Sequence, residues 1–95
     1  MIKIIAKNFV KQGKVEQVLV LAKELVQETL KENGCISYGM YQSESDENVL
    51  TMIEQWENKD VLKAHMASEH FKRIVPLMNE FMDKKAEMDI YKKVI

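Results

Sequence analysis

The feature that most constrains this sequence is a long segment, residues 14–33, in which apolar side chains recur every three or four positions. That spacing gathers them on one face of an α-helix, and charged or amide side chains fill the opposite face. The apolar positions are Val15, Val18, Leu19, Ala22, Leu25, Val26 and Leu30. Asn33-Gly34 follows and tolerates the left-handed conformation in which helices commonly end. The pattern predicts an amphipathic helix that needs a second layer to cover its apolar face.

Strand-like runs lie on both sides of this helix. Ile2–Phe9 is rich in β-branched residues and roughly alternates, as does the tail Ala86–Ile95. Cys35–Gln42 and Val49–Trp56 are two further runs, and the six polar residues Ser43–Asn48 between them predict a hairpin loop. The sequence therefore predicts four strands, two of which form a hairpin.

Two more helices are predicted between the hairpin and the final strand. Asn58 is a plausible N-cap for a short helix through Met66, and Ser68 can cap a further helix from Glu69. Pro76 lies inside this last pattern and should break or kink it, because proline has no N–H to bond back. The order is β-α-β-β-α-β, which predicts a ferredoxin-like α+β fold with an antiparallel sheet and helices on one face.

The length and composition predict one domain over residues 1–95, at 11.1 kDa and 46% apolar residues. The formal net charge of −1 disfavours nucleic-acid binding, which needs surplus positive charge. Apolar runs such as Val18–Ala22 are far shorter than the ~20 residues of a membrane span, and the N-terminus lacks a secretory apolar region. The single cysteine, Cys35, cannot form an internal disulfide, which fits a reducing cytoplasm.

Both faces of the predicted sheet carry apolar side chains. In the third strand Val49 and Ile53 lie on one face, and Leu50 and Met52 lie on the other. In the second strand Ile36 and Met40 oppose Cys35, Gly39 and Tyr41. An antiparallel sheet with helices on one side should otherwise have one polar face. A second copy of the same sheet is the simplest cover, so we expect an obligate homodimer, a dimeric α+β barrel.

The two histidines, His65 and His70, do not have the spacing of a helical metal site, which places ligands four residues apart. A turn at Ser68 could bring them together, but no carboxylate and cysteine cluster completes a ligand set in the sequence. Cys35 is more typical of a small buried strand residue than of a nucleophile. No glycine-rich phosphate loop or dinucleotide fingerprint is present. The sequence therefore predicts no metal and no cofactor.

Glu54 shares a strand face with apolar neighbours, where an unpaired charge is costly. It could cap a helix or pair with a lysine, or it could orient a histidine. Trp56 is typical of a core residue, and a ligand platform is the alternative. Asn8, at the end of an apolar strand, could be a turn residue or an amide donor at the mouth of a pocket. These residues are the candidates for a site.

The chain resembles the antibiotic biosynthesis monooxygenase family along nearly its whole length. The resemblance rests on Glu54-Gln55-Trp56, on His65, on Ser68-Glu69-His70-Phe71 and on Asn33-Gly34-Cys35-Ile36-Ser37-Tyr38. Met52 to Trp56 is especially similar to the bacterial quinol monooxygenases. Two departures are Gln12-Gly13, where the family often has Pro-Gly, and Glu69, where it often has proline. Both substitutions should alter loop stiffness more than chemistry.

The resemblance implies an activity and a set of pocket residues. Quinol monooxygenases need neither flavin nor metal, because a small aromatic quinol or polyphenol loses a proton and then passes an electron to dioxygen. The implied catalytic residues are Asn8, Trp56, His65 and His70. We expect His65 to act as the base, with His70 as the alternative, and Asn8 and Trp56 to bind the substrate anion. The expected substrate contacts are Tyr38, Glu54 and Phe71.

Other activities of the same fold stay open. In haem-degrading relatives the ligating histidine falls at the position of Val75, and valine cannot ligate iron. A relative that isomerises a phosphorylated sugar needs a cationic phosphate site, for which Lys72 and Arg73 are available on a face that looks solvated. A non-catalytic dimer that binds a small apolar ligand is the third alternative.

Overall fold

A computed structural model describes residues 1–95 as an antiparallel four-stranded sheet with three helices. The elements are β1 (Ile2–Val10), α1 (Val15–Thr29), β2 (Cys35–Gln42), β3 (Val49–Trp56), α2 (Lys59–Met66), α3 (Glu69–Asn79) and β4 (Met82–Lys92). The strand order is β2-β3-β1-β4, and every pairing is antiparallel. The predicted ferredoxin-like α+β fold is confirmed. No helix combines the length and apolar content needed to cross a membrane.

The core lies between one face of the sheet and the helices α1 and α3. Residues of equal parity on a regular strand share a face, and the even-numbered ones of β1 and β3, and of β2 from Tyr38 onward, face the helices. The buried cluster comprises Ile4, Val10, Val18, Ala22, Leu25, Tyr38, Leu50, Met52, Trp56, Leu62, Ile74 and Met78. The apolar stripe predicted for residues 14–33 therefore meets the sheet through Val18, Ala22 and Leu25.

The helix α1 ends at Thr29, earlier than the predicted boundary at Asn33. Lys31 and Glu32 donate their N–H groups three residues back, to Glu28 and Thr29, and these bonds tighten the chain into a turn. Leu30, which we expected on the apolar stripe, is exposed. The early ending matters because it places Glu32 in the α1–β2 turn rather than on a helix.

Pro76 does not end α3, which continues to Asn79. A proline leaves the carbonyl four residues earlier without a partner, here that of Lys72. Both residues are exposed, so water can bond this carbonyl. Of the two outcomes predicted for Pro76, a break or a kink, the break is wrong, since the helix continues for almost another turn.

The strand β4 begins at Met82, four residues before the predicted start at Ala86. Its register against β1 shifts between the pairs Lys7↔Glu87 and Phe9↔Lys84. Such an irregularity interrupts the alternation on which a strand prediction depends. The first residues of β4 therefore gave no clear strand pattern.

A second register shift, between Cys35 and Ser37, changes the face assignments in β2. Cys35 packs against the core opposite Trp56, whereas Ile36 is 48% exposed. The expectation that Ile36 and Met40 share a face, opposite Cys35, is wrong because the bulge inserts one extra residue. Met40 packs against the core with Cys35.

Candidate functional site

A cavity of about 500 Å³ lies between the sheet and α3, and most of its lining is apolar. The strands β1, β3 and β4 form one side of it, and the α3 side chains Phe71, Val75 and Met78 form the other. Of the residues expected at a site, Asn8, Tyr38, Glu54 and Phe71 line this cavity. Trp56, His65 and His70 do not line it.

Glu54 is a buried carboxylate on the cavity wall, 6% exposed. Its Oε1 accepts a hydrogen bond of 2.8 Å from the indole N–H of Trp56. Burial raises the pKa of Glu54 to about 7, against the lowering effect of the Trp56 hydrogen bond and with a further contribution from the charge of Glu32. The interpretations in which Glu54 caps a helix, pairs with a lysine or orients a histidine are wrong. With a pKa near 7, Glu54 can exchange a proton at neutral pH beside an apolar cavity.

Asn8 lies on β1 at the cavity wall, and its amide nitrogen is held by the sheet. Nδ2 donates to the carbonyl of Ala6 at 3.2 Å and to that of Leu50 at 3.1 Å. These bonds occupy both of its N–H groups, so the side-chain oxygen is the atom left for a ligand. Asn8 can therefore accept a hydrogen bond from a substrate hydroxyl but cannot donate to a phenolate while these bonds hold.

Trp56 lies at the end of β3 and is fully buried. Its only hydrogen-bond donor, the indole N–H, is directed at Glu54. The ring lies 6.2 Å from that of Tyr38 and 4.6 Å from that of His65. Trp56 therefore acts on the cavity through Glu54 and does not present a donor to it.

The histidines lie at the corner between α2 and α3. Ser68 caps α3 by accepting the N–H of Phe71, and its hydroxyl donates to the carbonyl of His65 at 2.6 Å. This turn brings the rings of His65 and His70 to 6.2 Å apart, although five residues separate them in the sequence. The turn at Ser68 therefore brings the two imidazoles close together, which their spacing along a single helix would not do.

Both histidines contact one carboxylate, that of Glu32. His65 Nδ1 lies 2.7 Å from Glu32 Oε2, and His70 Nε2 lies 2.6 Å from the same oxygen. Burial lowers the pKa of His65, whereas the hydrogen bond and charge of Glu32 oppose that shift. The residue that orients the histidines is Glu32 and not Glu54. The sequence carried no local signal for it, because Glu32 lies far from both histidines along the chain.

Aromatic rings separate this histidine pair from the cavity. The ring of His65, which is 1% exposed, lies 5.2 Å from that of Tyr38 and 5.0 Å from that of Phe71. Burial, and next the charge of Glu54, raises the pKa of Tyr38 above its usual value, so its hydroxyl stays protonated. Tyr38 and Phe71 thus contact the cavity on one side and His65 on the other.

Residues 1–77 match the model of the family described as antibiotic biosynthesis monooxygenase. The chain belongs to this family. The chain is similar to a conserved protein from Methanosarcina mazei Go1 whose crystal structure is known. The two sequences are 47% identical, and the structures match with a TM-score of 0.96 over 98% of this chain and 92% of that one. The crystal structure of an antibiotic biosynthesis monooxygenase is 34% identical, with a TM-score of 0.96 over the full length of both chains.

One curated relative is longer than this chain. The uncharacterized protein sll1783 of Synechocystis is 32% identical over 90 residues, which are 94% of this chain and 61% of that protein. The chain therefore spans less than two thirds of the length of this relative.

Proposed function

We propose that this family member is a monooxygenase that oxidises a small aromatic quinol or polyphenol with dioxygen, without a cofactor, in the cavity beneath α3. The observation that supports this most is Glu54, a carboxylate whose pKa is raised to about 7 on an apolar cavity wall. Such a group can take a proton from a substrate hydroxyl at neutral pH. The apolar side chains that make up most of the cavity lining limit the hydration of the anion that results.

The proposed reaction begins when a hydroxyl of the quinol gives its proton to Glu54. The phenolate then passes one electron to dioxygen, and recombination of the two radicals forms a carbon–oxygen bond on the ring. Loss of water leaves a quinone, so one oxygen atom enters the product and the other leaves in water. The substrate supplies all the electrons, which is why no flavin or metal is needed.

The pKa difference between substrate and base decides how much help this step needs. A phenol of pKa about 10 is about 3 units above Glu54, which makes the transfer about 4 kcal/mol uphill. Proton transfer from the same phenol to a histidine of ordinary pKa would be about 5 kcal/mol uphill. Hydrogen bonds to the charged oxygen recover about 1.5–3 kcal/mol each. Lys84 and Lys85 both line the cavity, but the ammonium of Lys84 lies over the Phe9 ring, 4.1 Å from its centroid. Lys85 is therefore the candidate for this role.

In this proposal His65 and His70 are positioning residues. They reach the cavity only through the rings of Tyr38 and Phe71, and both are held by Glu32. The expectation that His65 is the base becomes a competing proposal with its own test. If Glu54 is the base, Glu54→Gln abolishes the rise of activity through pH 7, whereas His65→Gln retains it. The opposite result assigns the proton transfer to His65.

Oxygen-electrode measurements with a panel of reduced quinols test the activity. We expect oxygen uptake by the wild-type protein and a loss of ~10²-fold or more in Glu54→Gln. Glu57→Gln is the matched control, because Glu57 is an exposed carboxylate three residues away and should leave activity unchanged. Absence of oxygen uptake across the panel would contradict the proposal. Saturable quinol binding without uptake would instead support a non-catalytic binding protein.

The haem and phospho-sugar alternatives are less well supported by the side chains of the site. Val75, at the position expected for a haem ligand, lines the cavity, while His65 and His70 do not. Arg73 is paired with Glu24 at 2.6 Å and with Glu69, outside the cavity. A haem titration followed by absorbance is the control, and we expect no axial-imidazole spectrum.

We also propose that the protein is a homodimer joined through the sheet face that the helices leave open. Ile5 and Ile53 pair across β1 and β3 on this face, and Tyr41 is exposed beside them. Sedimentation should give a dimer for the wild-type protein and a monomer for Ile53→Lys. A monomeric wild-type protein at micromolar concentration would contradict this proposal.

A reducing cytoplasm is the location we propose. Cys35 is a free thiol whose pKa is raised by burial, so it resists oxidation and has no partner for a bridge. Cell fractionation with the native host would test this location.

A further inference from the structure

Glu32, His65 and His70 bring three metal-binding atoms together outside the cavity. One carboxylate oxygen and two imidazole nitrogens all lie within 4.8 Å of one another. They come from three segments, the α1–β2 turn, the last turn of α2 and the first turn of α3. The sequence offered two histidines and no third ligand. The fold supplies the third ligand from a distant turn.

We propose that Glu32, His65 and His70 bind a divalent transition-metal ion of the Zn²⁺ class. Two histidines and one carboxylate are an established ligand set for Zn²⁺, with a further position left for water. The same set also suits other first-row divalent ions, whose affinity depends on geometry. The side chains of Glu32 and His70 are 16% and 15% exposed, which gives an ion an entry path and a water a place to bind.

Only a small movement separates the present arrangement from a coordinating one. The two nitrogen–oxygen distances are now 2.7 and 2.6 Å, as hydrogen bonds. Ligands at Zn²⁺ distances in a tetrahedron lie roughly 3.3 Å apart, so the two nitrogen–oxygen separations must widen by about 0.6 and 0.7 Å. The two imidazole nitrogens, which lie within 4.8 Å of each other, must come to the same spacing. Glu32 can provide this movement because it lies in a turn and not within a helix or strand. Each imidazole then carries its proton on its other ring nitrogen.

Burial fixes His65 in place as one ligand of the proposed site. His65 is 1% exposed, its imidazole packs against the rings of Trp56 and Phe71, and its Nδ1 lies 2.7 Å from Glu32 Oε2. The bound ion would neutralise the carboxylate and join the α1–β2 turn to the α2–α3 corner. None of the three ligands lines the substrate cavity, so this site does not depend on the proposed monooxygenase activity.

Titration of the tag-free full chain with Zn²⁺ tests the site, by calorimetry and by competition with a chromophoric chelator. We expect one ion per chain, a rise of Tm with added Zn²⁺ and tetrahedral absorption bands with Co²⁺. Glu32→Gln and His70→Ala should weaken binding ~100-fold or more. Glu28→Gln and Cys35→Ser are the controls and should bind as the wild type does, because Glu28 is an exposed carboxylate nearby and Cys35 is the single thiol.

Circular dichroism establishes that each variant is folded before its affinity is compared. If Glu32→Gln does not fold, His70→Ala and His70→Gln decide, because His70 is the more exposed histidine. The proposal is overturned if Zn²⁺ does not saturate at one ion per chain, or if the folded ligand variants bind as tightly as the controls. No substrate enters this assay, so failure of the oxygen-uptake test leaves its result unaffected.

Discussion

Replacing Glu54 by glutamine should change how the stability of the protein depends on pH. Glutamine keeps the shape of the side chain and an oxygen for the Trp56 N–H, but it removes the ionisation. The pKa of Glu54 is about 7 in the folded protein and 4.5 ordinarily, so the folded state binds this proton more tightly than the unfolded state. The resulting stability is fully present below pH 4.5 and is lost as the pH rises through 7. The whole effect is about 3 kcal/mol, and most of it falls between pH 5 and pH 8.

Comparison with the variant isolates this effect from that of His65. The pKa of His65 is lowered, so its contribution is present above the ordinary histidine pKa and is lost as the pH falls through the folded value. The two groups therefore oppose each other in the wild-type protein. Glu54→Gln retains His65, so the contribution of His65 cancels in the difference between the two proteins.

Urea unfolding at pH 5 and pH 8, at one fixed protein concentration, measures the difference. From pH 5 to pH 8 we expect the free energy of unfolding of Glu54→Gln to rise by about 2–3 kcal/mol relative to the wild type. Glu57→Gln, at an exposed carboxylate, should follow the wild type at both pH values. Equal pH dependence in wild type and Glu54→Gln would show that Glu54 ionises normally. The proposed proton transfer would then lose its base.

Three further changes test the fold and the cavity by urea unfolding and ligand binding. Gly34→Ala should lower the free energy of unfolding by more than about 2 kcal/mol, because Gly34 has a φ of +82° and an added Cβ would lie 2.6 Å from a methyl group of Val61. Gly13→Ala is the comparison: Gly13 has a similar φ of +79° but open space around it, so this change should cost only about 1 kcal/mol. Equal costs would refute the steric explanation. Ser68→Ala should cost about 1 kcal/mol through loss of the α3 cap, and an unchanged stability would contradict that role. Val75→Trp should fill the cavity and weaken quinol binding in a folded protein, and unchanged affinity would place the ligand elsewhere.

The strands and helices follow from the sequence wherever periodicity and caps agree. The bounds of β2 and β3 match the prediction, and Asn58 and Ser68 cap α2 and α3 as expected. Predictions failed where one local irregularity changed the pattern. The bulge after Cys35 turned Ile36 away from the core, and exposure let Pro76 remain inside a helix. A bulge or a solvated carbonyl depends on neighbouring strands and on solvent, which no single segment encodes.

The candidate site shows the same division more strongly. Its residue types were visible in the sequence, and Glu54 stood out because its strand parity placed a charge among apolar neighbours. Which atoms meet was decided by the tertiary structure. Asn8 donates its N–H groups to carbonyls of the sheet, and Trp56 donates its indole N–H to Glu54. Glu32, in a turn distant in the sequence, contacts both histidines.

The sequence by itself determined the order of elements, the face that each apolar residue takes in the regular segments and the family of the chain. Periodicity and capping are local properties, which is why they can be read along the chain. Only the tertiary structure decided that Glu54 rather than a histidine borders the cavity, and that Glu32 holds His65 and His70. Hydrogen bonds and pKa shifts depend on burial and on partners that are remote in the sequence. Both are determined by how the helices and strands pack together.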